Sequence, residues 1–417
     1  MSDLGRVLRL DARRTALLVA MPVLTAVGTA AAVPSLYPAV AYWDNAVVAL
    51  VNAVRFVGPV AAAIAAWTTV RERPLDYLRD LTARSPATGA LLDLLLLSVA
   101  ALLSYATVTA LVVVVTLAQD GAGHLHLVGV AAGAGSLVLH VVAGYLMGRA
   151  VPHRATAVLV LAVTSLWAAL RVPGMSWLSL LPPAAFDQIA LFTTLRPRVL
   201  LDQVTWTAGL TTALILGYVV WVTRRFLIVL PLLVALAVTG TATLGLRASS
   251  GTITPVHTEP VCREWPITVC VHPALRDALP VLTAAATPLA ARLHETPGAF
   301  TRVEQRPAWK PVSVSGGVAT VHLDETLSPG YASRAVRQIS RSLRDAHACA
   351  ASPDVPDHYR ALVDAWLLGE DPPSVPDTRA ARRFGSWSEA RRRAWLRLNF
   401  ADYHSCALGP ADFLGGA

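Results

Sequence analysis

Residues 90–118 read Ala-Leu-Leu-Asp-Leu-Leu-Leu-Leu-Ser-Val-Ala-Ala-Leu-Leu-Ser-Tyr-Ala-Thr-Val-Thr-Ala-Leu-Val-Val-Val-Val-Thr-Leu-Ala, with Asp93 as the one charged side chain. An apolar run of this length exceeds the roughly 20 residues that cross a bilayer as an α-helix, and the excess allows tilt. Six further apolar segments lie in the first 248 residues: about 15–37, 46–70, 128–148, 155–171, 205–223 and 226–246. The sequence therefore predicts an α-helical polytopic membrane protein with about seven transmembrane helices.

The remainder of the chain has a different composition. The 417 residues are 54% hydrophobic and 15% charged, whereas soluble domains carry about 25% charged residues. Residues 249–417 are globular in character and predict an α+β domain. We expect its strands at 267–272, 300–305 and 317–323, and its helices at about 277–294, 330–350, 356–368 and 386–406. Residues 173–204 contain four prolines and apolar runs too short to cross, so interfacial or re-entrant helices are expected there.

The arginines indicate an orientation. Twelve of them fall at the N-terminus and after the second, fourth and sixth spans, whereas the opposite side carries four: Arg171, Arg196, Arg198 and Arg247. Cytoplasmic loops are enriched in basic residues. A multi-pass protein of the plasma (inner) membrane is predicted, with a cytoplasmic N-terminus and an extracytoplasmic C-terminal domain. Because the basic excess follows the membrane ends, nucleic acid is not expected as a partner.

All four cysteines lie in the C-terminal part. Disulfides persist in oxidising compartments, which agrees with an extracytoplasmic domain. Each of three cysteines has a histidine two residues away, which raises a metal site as an alternative, but the spacing matches no zinc pattern. Four cysteines allow three pairings. The preferred pairing is Cys262–Cys270, which closes a short hairpin-like loop, with Cys349–Cys406, which ties two helices.

Three ionisable residues fall inside predicted spans. Arg55 is well inside the second, Asp93 is near the inner end of the third, and His140 is central in the fourth. Buried charges are costly in lipid and are often functional, so these residues are candidates for a transport path. The alternative for Arg55 and Asp93 is snorkelling or pairing with a neighbouring span. His140 shares a helix side with four glycines, which favours a packing interface over a proton relay.

The connection between the second and third spans, residues 71–86, is amphipathic. Three leucines line one side of a short helix and charges line the other. Such a helix could dock into a groove on a cytosolic partner; the alternative is an ordinary charged loop. The residues expected to couple to a partner are Arg71, Glu72, Leu75, Leu78, Leu81 and Arg84.

This arrangement resembles a family. An amphipathic segment at residues 3–14, a second span ending in Arg-Glu, a short helix, and a turn at Ser85-Pro86 into a long third span are similar to the permease subunits of type-2 ABC exporters. The resemblance covers about residues 1–225 and implies a six-span permease-like domain. Residues 226–248 add a seventh span, and residues 249–417 add the extracytoplasmic domain. The resemblance also implies a coupling helix at 71–86, a separate ATP-binding subunit, and a homodimer or paired permease.

Several motifs are absent. Lys310 is the one lysine and follows Trp309, so the chain has no G-x-x-x-x-G-K-[ST] phosphate loop. We therefore expect no enzymatic activity and no cofactor in this chain, with ATP and Mg²⁺ bound by the partner. His294-Glu295 is followed by Thr-Pro-Gly, which excludes the H-E-x-x-H helix of a metallopeptidase. The expected function is the membrane subunit of an ABC-type exporter in contact with membrane lipid. The alternative is a non-transporting, membrane-anchored sensor or ligand-binding protein.

The segment from Arg379 to Arg397 is rich in arginine and contains Trp387 and Trp395. It could face anionic lipid headgroups or an acidic substrate. The simpler expectation is a helix with its arginines in water and its tryptophans buried.

Overall fold

The computed structural model describes residues 17–36, 41–73, 86–249, 251–350, 358–374 and 378–414. The chain divides into two compact units, residues 1–256 and 257–417. The first unit is mostly helical, with one short strand pair and an irregular segment before its sixth helix, and the second combines a five-stranded sheet with helices.

Seven α-helices form the described part of the first unit. They are α1 (Leu17–Leu36), α2 (Trp43–Glu72), α3 (Pro86–Ala118), α4 (Leu127–Ala150), α5 (Thr156–Ala169), α6 (Pro197–Thr223) and α7 (Val229–Ala248). Five described segments are long and apolar enough to cross a membrane, judged by length and composition: α2, residues 87–118 of α3, α4, α6, and residues 226–248, which include α7. Two further apolar helices are shorter, at 20–36 and in α5.

Contacts of glycines give the direction in which neighbouring helices run. Along α4, the Cα of Gly129 faces Val47, His140 faces Gly58, and Gly144 faces Ala62. Both residue numbers rise together, so α2 and α4 are parallel. Gly129 and Gly135 also face Leu200 and Thr207 of α6 in rising order. Helices α2, α4 and α6 therefore run in one direction, and their C-terminal ends lie at the same end of this unit.

The segment between α5 and α6 differs from the sequence prediction. Interfacial or re-entrant helices were expected over 173–204, but the described helical content before Pro197 is one 3₁₀ turn, Trp177–Leu180. The predicted sixth span, about 205–223, lies within α6, which begins eight residues earlier, at Pro197. Proline is favoured at the first helical position because its missing N–H has no partner there in any case. Residues 181–196 are extended or irregular and include β1 (Thr193–Leu195), which pairs antiparallel with β2 (Ile253–Pro255).

The second unit contains a mixed sheet in the order β3-β4-β5-β7-β6. The strands are β3 (Val261–Arg263), β4 (Thr268–Val271), β5 (Arg302–Gln305), β6 (Val314–Ser315) and β7 (Val318–Val321). The three central strands β4, β5 and β7 are parallel, whereas β3 and β6 pair antiparallel at the edges. All three strands predicted from the sequence are present.

The described part of the second unit also contains eight α-helices. They are α8 (Leu279–Leu293), α9 (Tyr331–Ser342), α10 (Ala346–Ala350), α11 (His358–Leu368), α12 (Thr378–Ser386), α13 (Glu389–Leu398), α14 (Phe400–His404) and α15 (Pro410–Leu414). The single helix predicted over 386–406 is two helices, and α12 was not predicted as a separate helix. An aromatic cluster centred on Phe384 closes this part of the core: its ring lies 5.6 Å from Trp395 and 5.5 Å from Trp387.

Both disulfides of the preferred pairing are present. Cys262–Cys270 joins the paired strands β3 and β4, and Cys349–Cys406 joins α10 to the residues after α14. The second disulfide closes a sequence separation of 57 residues and the first one of 8. The described part of the chain contains no free cysteine.

Candidate functional site

Helix α2 carries a row of polar side chains in an otherwise apolar surface. Asp44, Asn45, Asn52 and Arg55 all bond to the irregular segment between α5 and α6, or to the residues that flank it. Spacings of seven and three residues place Asn45, Asn52 and Arg55 on one side of a helix. We call these four residues and the groups they bind the polar seam.

Asp44 is the most connected residue of the polar seam. Its carboxylate is 2% exposed and accepts hydrogen bonds from the backbone N–H of Leu195 and the hydroxyl of Thr194, each at 3.0 Å. The Nε2 atom of His126 lies 3.3 Å from the same oxygen. The hydroxyl of Tyr42 donates to the carbonyl of Thr193 at 2.8 Å. Burial raises the pKa of Tyr42, and the nearby Asp44 charge raises it further.

The two asparagines each pair with one residue of the irregular segment. The side-chain amide of Asn45 accepts from the N–H of Ile189 at 2.7 Å and donates to its carbonyl at 3.3 Å. Asn52 makes the same two bonds with Phe186, at 3.3 and 3.0 Å. Backbone groups away from water must find partners. The asparagines provide those partners where the segment lacks a regular hydrogen-bond ladder.

Arg55 binds the end of the short helix α5. One of its Nη atoms donates to the carbonyls of Ala168 and Arg171, at 2.7 and 2.8 Å. The last carbonyls of a helix have no intrahelical partner, and a cation there also interacts favourably with the helix dipole. Among the described residues no carboxylate pairs with Arg55. The geometry of this candidate transport-path residue is that of a helix cap.

Arg171 is a second buried arginine in the same region, and the sequence analysis did not select it. It is 4% exposed, donates to the carbonyls of Leu181 and Pro183, and lies with its guanidinium 4.2 Å from the centre of the Trp167 ring. It closes the turn around the adjacent prolines. The sequence signal for the bonds between Arg171 and the carbonyls of Leu181 and Pro183 was the arginine's position just before a proline-rich segment.

A cavity of about 360 Å³ lies beside the polar seam. Its lining includes Trp177, Leu180, Phe186 and Asp187, together with residues that follow α7. Small-molecule sites commonly occupy about 300–1,000 Å³ and combine an apolar lining with a few polar groups. Asp187 is the single charged residue among those lining it. Neither Arg55 nor Arg171 lines this cavity.

The other two candidate transport-path residues occupy separate positions. Asp93 accepts a hydrogen bond from the hydroxyl of Tyr145 at 3.1 Å. His140 bonds through Nδ1 to the carbonyl of Ser136 at 2.7 Å, and its ring lies against Gly58. Among the described residues no hydrogen bond or ion pair joins any two of Arg55, Asp93 and His140. His140 therefore belongs to the packed interface between α2 and α4, as its glycine-rich side favours.

The predicted coupling segment is described in part. Helix α2 extends through Arg71 and Glu72, and the Arg71 guanidinium lies 5.3 Å from the centre of the Trp67 ring. Leu75, Leu78, Leu81 and Arg84 lie outside the described residues.

In the second unit, polar side chains follow the carboxyl ends of the parallel strands. The backbone N–H of His272 donates to Oε1 of Gln305 at 2.8 Å, and His272 Nδ1 accepts from the N–H of Ala274 at 3.2 Å. Burial lowers the pKa of His272 to about 4. Within the described ranges, no group of three or more His, Cys, Asp or Glu side chains could hold a metal ion.

Comparisons with known proteins add no identification, since no family model, curated protein or solved structure matches this chain. The fold and the polar seam define the class: a helical protein with several helices apolar enough to cross a membrane, followed by a disulfide-bonded α+β unit.

Proposed function

We propose that the chain is the membrane subunit of an ABC-type exporter, driven by a separate ATP-binding subunit that docks on residues 71–86. In this proposal seven helices cross the plasma membrane, the N-terminus is cytoplasmic, and the second unit is extracytoplasmic. The protein acts as a homodimer or together with a similar permease. ATP and Mg²⁺ belong to the partner.

The observation that carries the proposal is the parallel direction of α2, α4 and α6. Their C-terminal ends lie together and bring Arg71, Arg149 and Arg224 to one end of the first unit. Basic residues concentrate at the cytoplasmic ends of membrane helices. A partner that docks on the 71–86 connection would approach this arginine-rich end.

The opposite end supports the same orientation. There the start of α2 bonds to the loop before α4: the N–H of Trp43 donates to the carbonyl of Ala122 at 3.0 Å. The polar seam and the β1–β2 pair also lie at this end. Arg171 and Arg196 belong to it, and both bind backbone carbonyls, Arg196 to Ile253 at 2.9 Å. These arginines have structural partners, so they do not contradict an extracytoplasmic assignment.

Replacement of Leu75, Leu78 and Leu81 by Asp tests the coupling role. The apolar side of the segment becomes anionic, so the triple variant should lose an ATP-binding partner that the wild-type protein retains when purified in detergent. Asp substitutions at the exposed Val261 and Val281 provide a control, because they add acids to the second unit. Failure of the wild-type protein to recover any ATP-binding protein from its own cells would refute the proposal.

The 360 Å³ cavity favours a second candidate, a membrane-anchored sensor that binds a small ligand. A sensor needs no nucleotide-driven step. The leucine-to-Asp triple variant therefore separates the candidates: an exporter loses ATP-dependent transport in reconstituted vesicles, whereas a sensor keeps its ligand response.

A further inference from the structure

The stretch from Thr378 to Leu398, which forms α12 and α13, carries seven arginines and one glutamate. The apolar residues of both helices face the core of the second unit: Phe384, Trp395 and Leu396 are buried. Five of the seven arginines are exposed, and Arg383 and Arg392 are half-buried. A helix with this pattern, a packed apolar stripe and a basic surface, presents a strongly positive face.

Two of these arginines, Arg391 and Arg392, contact other residues of the second unit. The Arg391 guanidinium lies 5.1 Å from the centre of the Trp387 ring. Arg392 lies 5.3 Å from the Phe384 ring and donates to the carbonyls of Phe384 and Gly385, at 3.0 and 2.6 Å. Cation–π contacts and hydrogen bonds hold both in place. They stabilise the junction of α12 and α13 and leave the outward side of α13 to other residues.

That outward side contains a notch of about 190 Å³ between α13 and the turn at His294-Glu295. Ala390 and Ala394, one helical turn apart, line it together with Arg393 and Arg397. Small side chains between two guanidinium groups leave room for an anion.

The notch is not closed by a strong internal ion pair. Arg397 lies 3.3 Å from Glu295, but the two side chains are 52% and 65% exposed, and an ion pair this exposed contributes little to stability. Arg393 has no hydrogen bond or ion pair with any described residue. Guanidinium groups bind phosphate bidentately, so a phosphate can replace the contact with Glu295.

We propose that the basic face of α12 and α13 docks on anionic phospholipid headgroups, with the notch taking a lipid phosphate. This rests on the membrane insertion in the proposed function and is independent of export. Two observations favour lipid as the ligand: the positive charge of this face, and the short connection of residues 249–256 between α7 and the second unit. Such a short tether gives a membrane surface a high effective concentration. Leu398, 72% exposed beside the arginines, adds the apolar contact typical of interfacial helices.

The test is hydroxyl-radical footprinting of the full-length protein in lipid nanodiscs. One set of discs contains phosphatidylcholine alone and the other contains roughly 30% phosphatidylglycerol, enough for a negative surface potential. We expect oxidation of Leu398 and His294 to fall in the anionic discs. About 0.5 M NaCl should restore it, because salt screens exposed charges. Oxidation of the exposed Trp309, which lies in the connection between β5 and β6 and does not line the notch, should not change.

Charge reversal identifies the residues. R393E/R397E should abolish the protection, since each arginine near an anionic surface contributes roughly fivefold to binding. R341E/R344E makes the same charge change at the C-terminal end of α9, at two arginines that do not line the notch, and should keep the protection. Equal oxidation in both kinds of disc, or protection that persists in R393E/R397E, overturns the proposal. Protection by inorganic phosphate in phosphatidylcholine discs, without an effect of phosphatidylglycerol, would assign a free anion instead and also overturn it.

Discussion

Replacement of Gly144 by Ala tests the parallel packing of α2 and α4. A Cβ atom at this position would lie 2.1 Å from the carbonyl oxygen of Ala62 and 2.6 Å from its Cα. These are backbone atoms, which cannot turn aside as a flexible side chain can. The two helices must separate locally by about 1 Å, and overpacking of this kind costs about 1–3 kcal/mol.

The matched controls are Gly217→Ala in α6 and Gly240→Ala in α7, where a Cβ meets no atom within 4 Å. All three substitutions gain about 0.5–1 kcal/mol of helix propensity, so the difference between them isolates the contact. Thermal unfolding in detergent micelles is the assay, with about 2–4 °C expected for each kcal/mol. A Gly144→Ala variant as stable as the Gly240→Ala variant would refute the packing and, with it, the shared arginine-rich end.

Three further outcomes are expected. Arg55→Met leaves two carbonyls at the end of α5 without their donor and should lower stability by roughly 1.5–3 kcal/mol, measured by the same unfolding assay; an unchanged midpoint would argue against the cap. His272 has a pKa of about 4 when folded and near 6.5 when unfolded, so the unfolded state binds the proton first and stability should fall as pH drops from 6.5 towards 4. A His272→Asn variant should flatten that dependence in pH-dependent melts, and an unaltered slope would contradict it. Loss of the Cys349–Cys406 disulfide through paired Ser substitutions should cost about 4 kcal/mol, against about 2.5 for the disulfide with the short loop, because the longer loop gains more freedom when opened; equal losses in denaturant titrations would contradict the loop-entropy argument.

Long apolar runs made the helices of the first unit predictable, because lipid leaves the backbone few alternatives to helix. The cysteine pairing was also predictable, since a sequence separation of eight between Cys262 and Cys270 suits a hairpin. The segment before α6 was not. Its prolines exclude regular helix, and its structure depends on side chains of α2 more than 130 residues away in the chain. A single sequence contains no direct signal for such contacts.

The polar seam shows the same limit. Arg55 was predictable as a functional candidate because a charge in an apolar span is costly. Asn45 and Asn52 are uncharged, so the same argument did not select them. Their seven-residue spacing was the available signal. The transport-path role predicted for Arg55 came from its position alone, whereas its partners are the carbonyls that end α5. The coupling role of residues 71–86, including Arg71 and Glu72, remains a prediction.

The β1–β2 pair has a mechanical consequence. Ile253–Pro255 follow α7 yet pair with Thr193–Leu195, and the N–H of Val256 donates to the carbonyl of Phe192 at 2.8 Å. Tension applied to the chain at His257 would therefore load this strand pair before it reaches α7. Because the N–H of Leu195 also donates to Asp44, part of that load would pass from the strand pair to the start of α2, a membrane-type helix about 150 residues earlier in the chain.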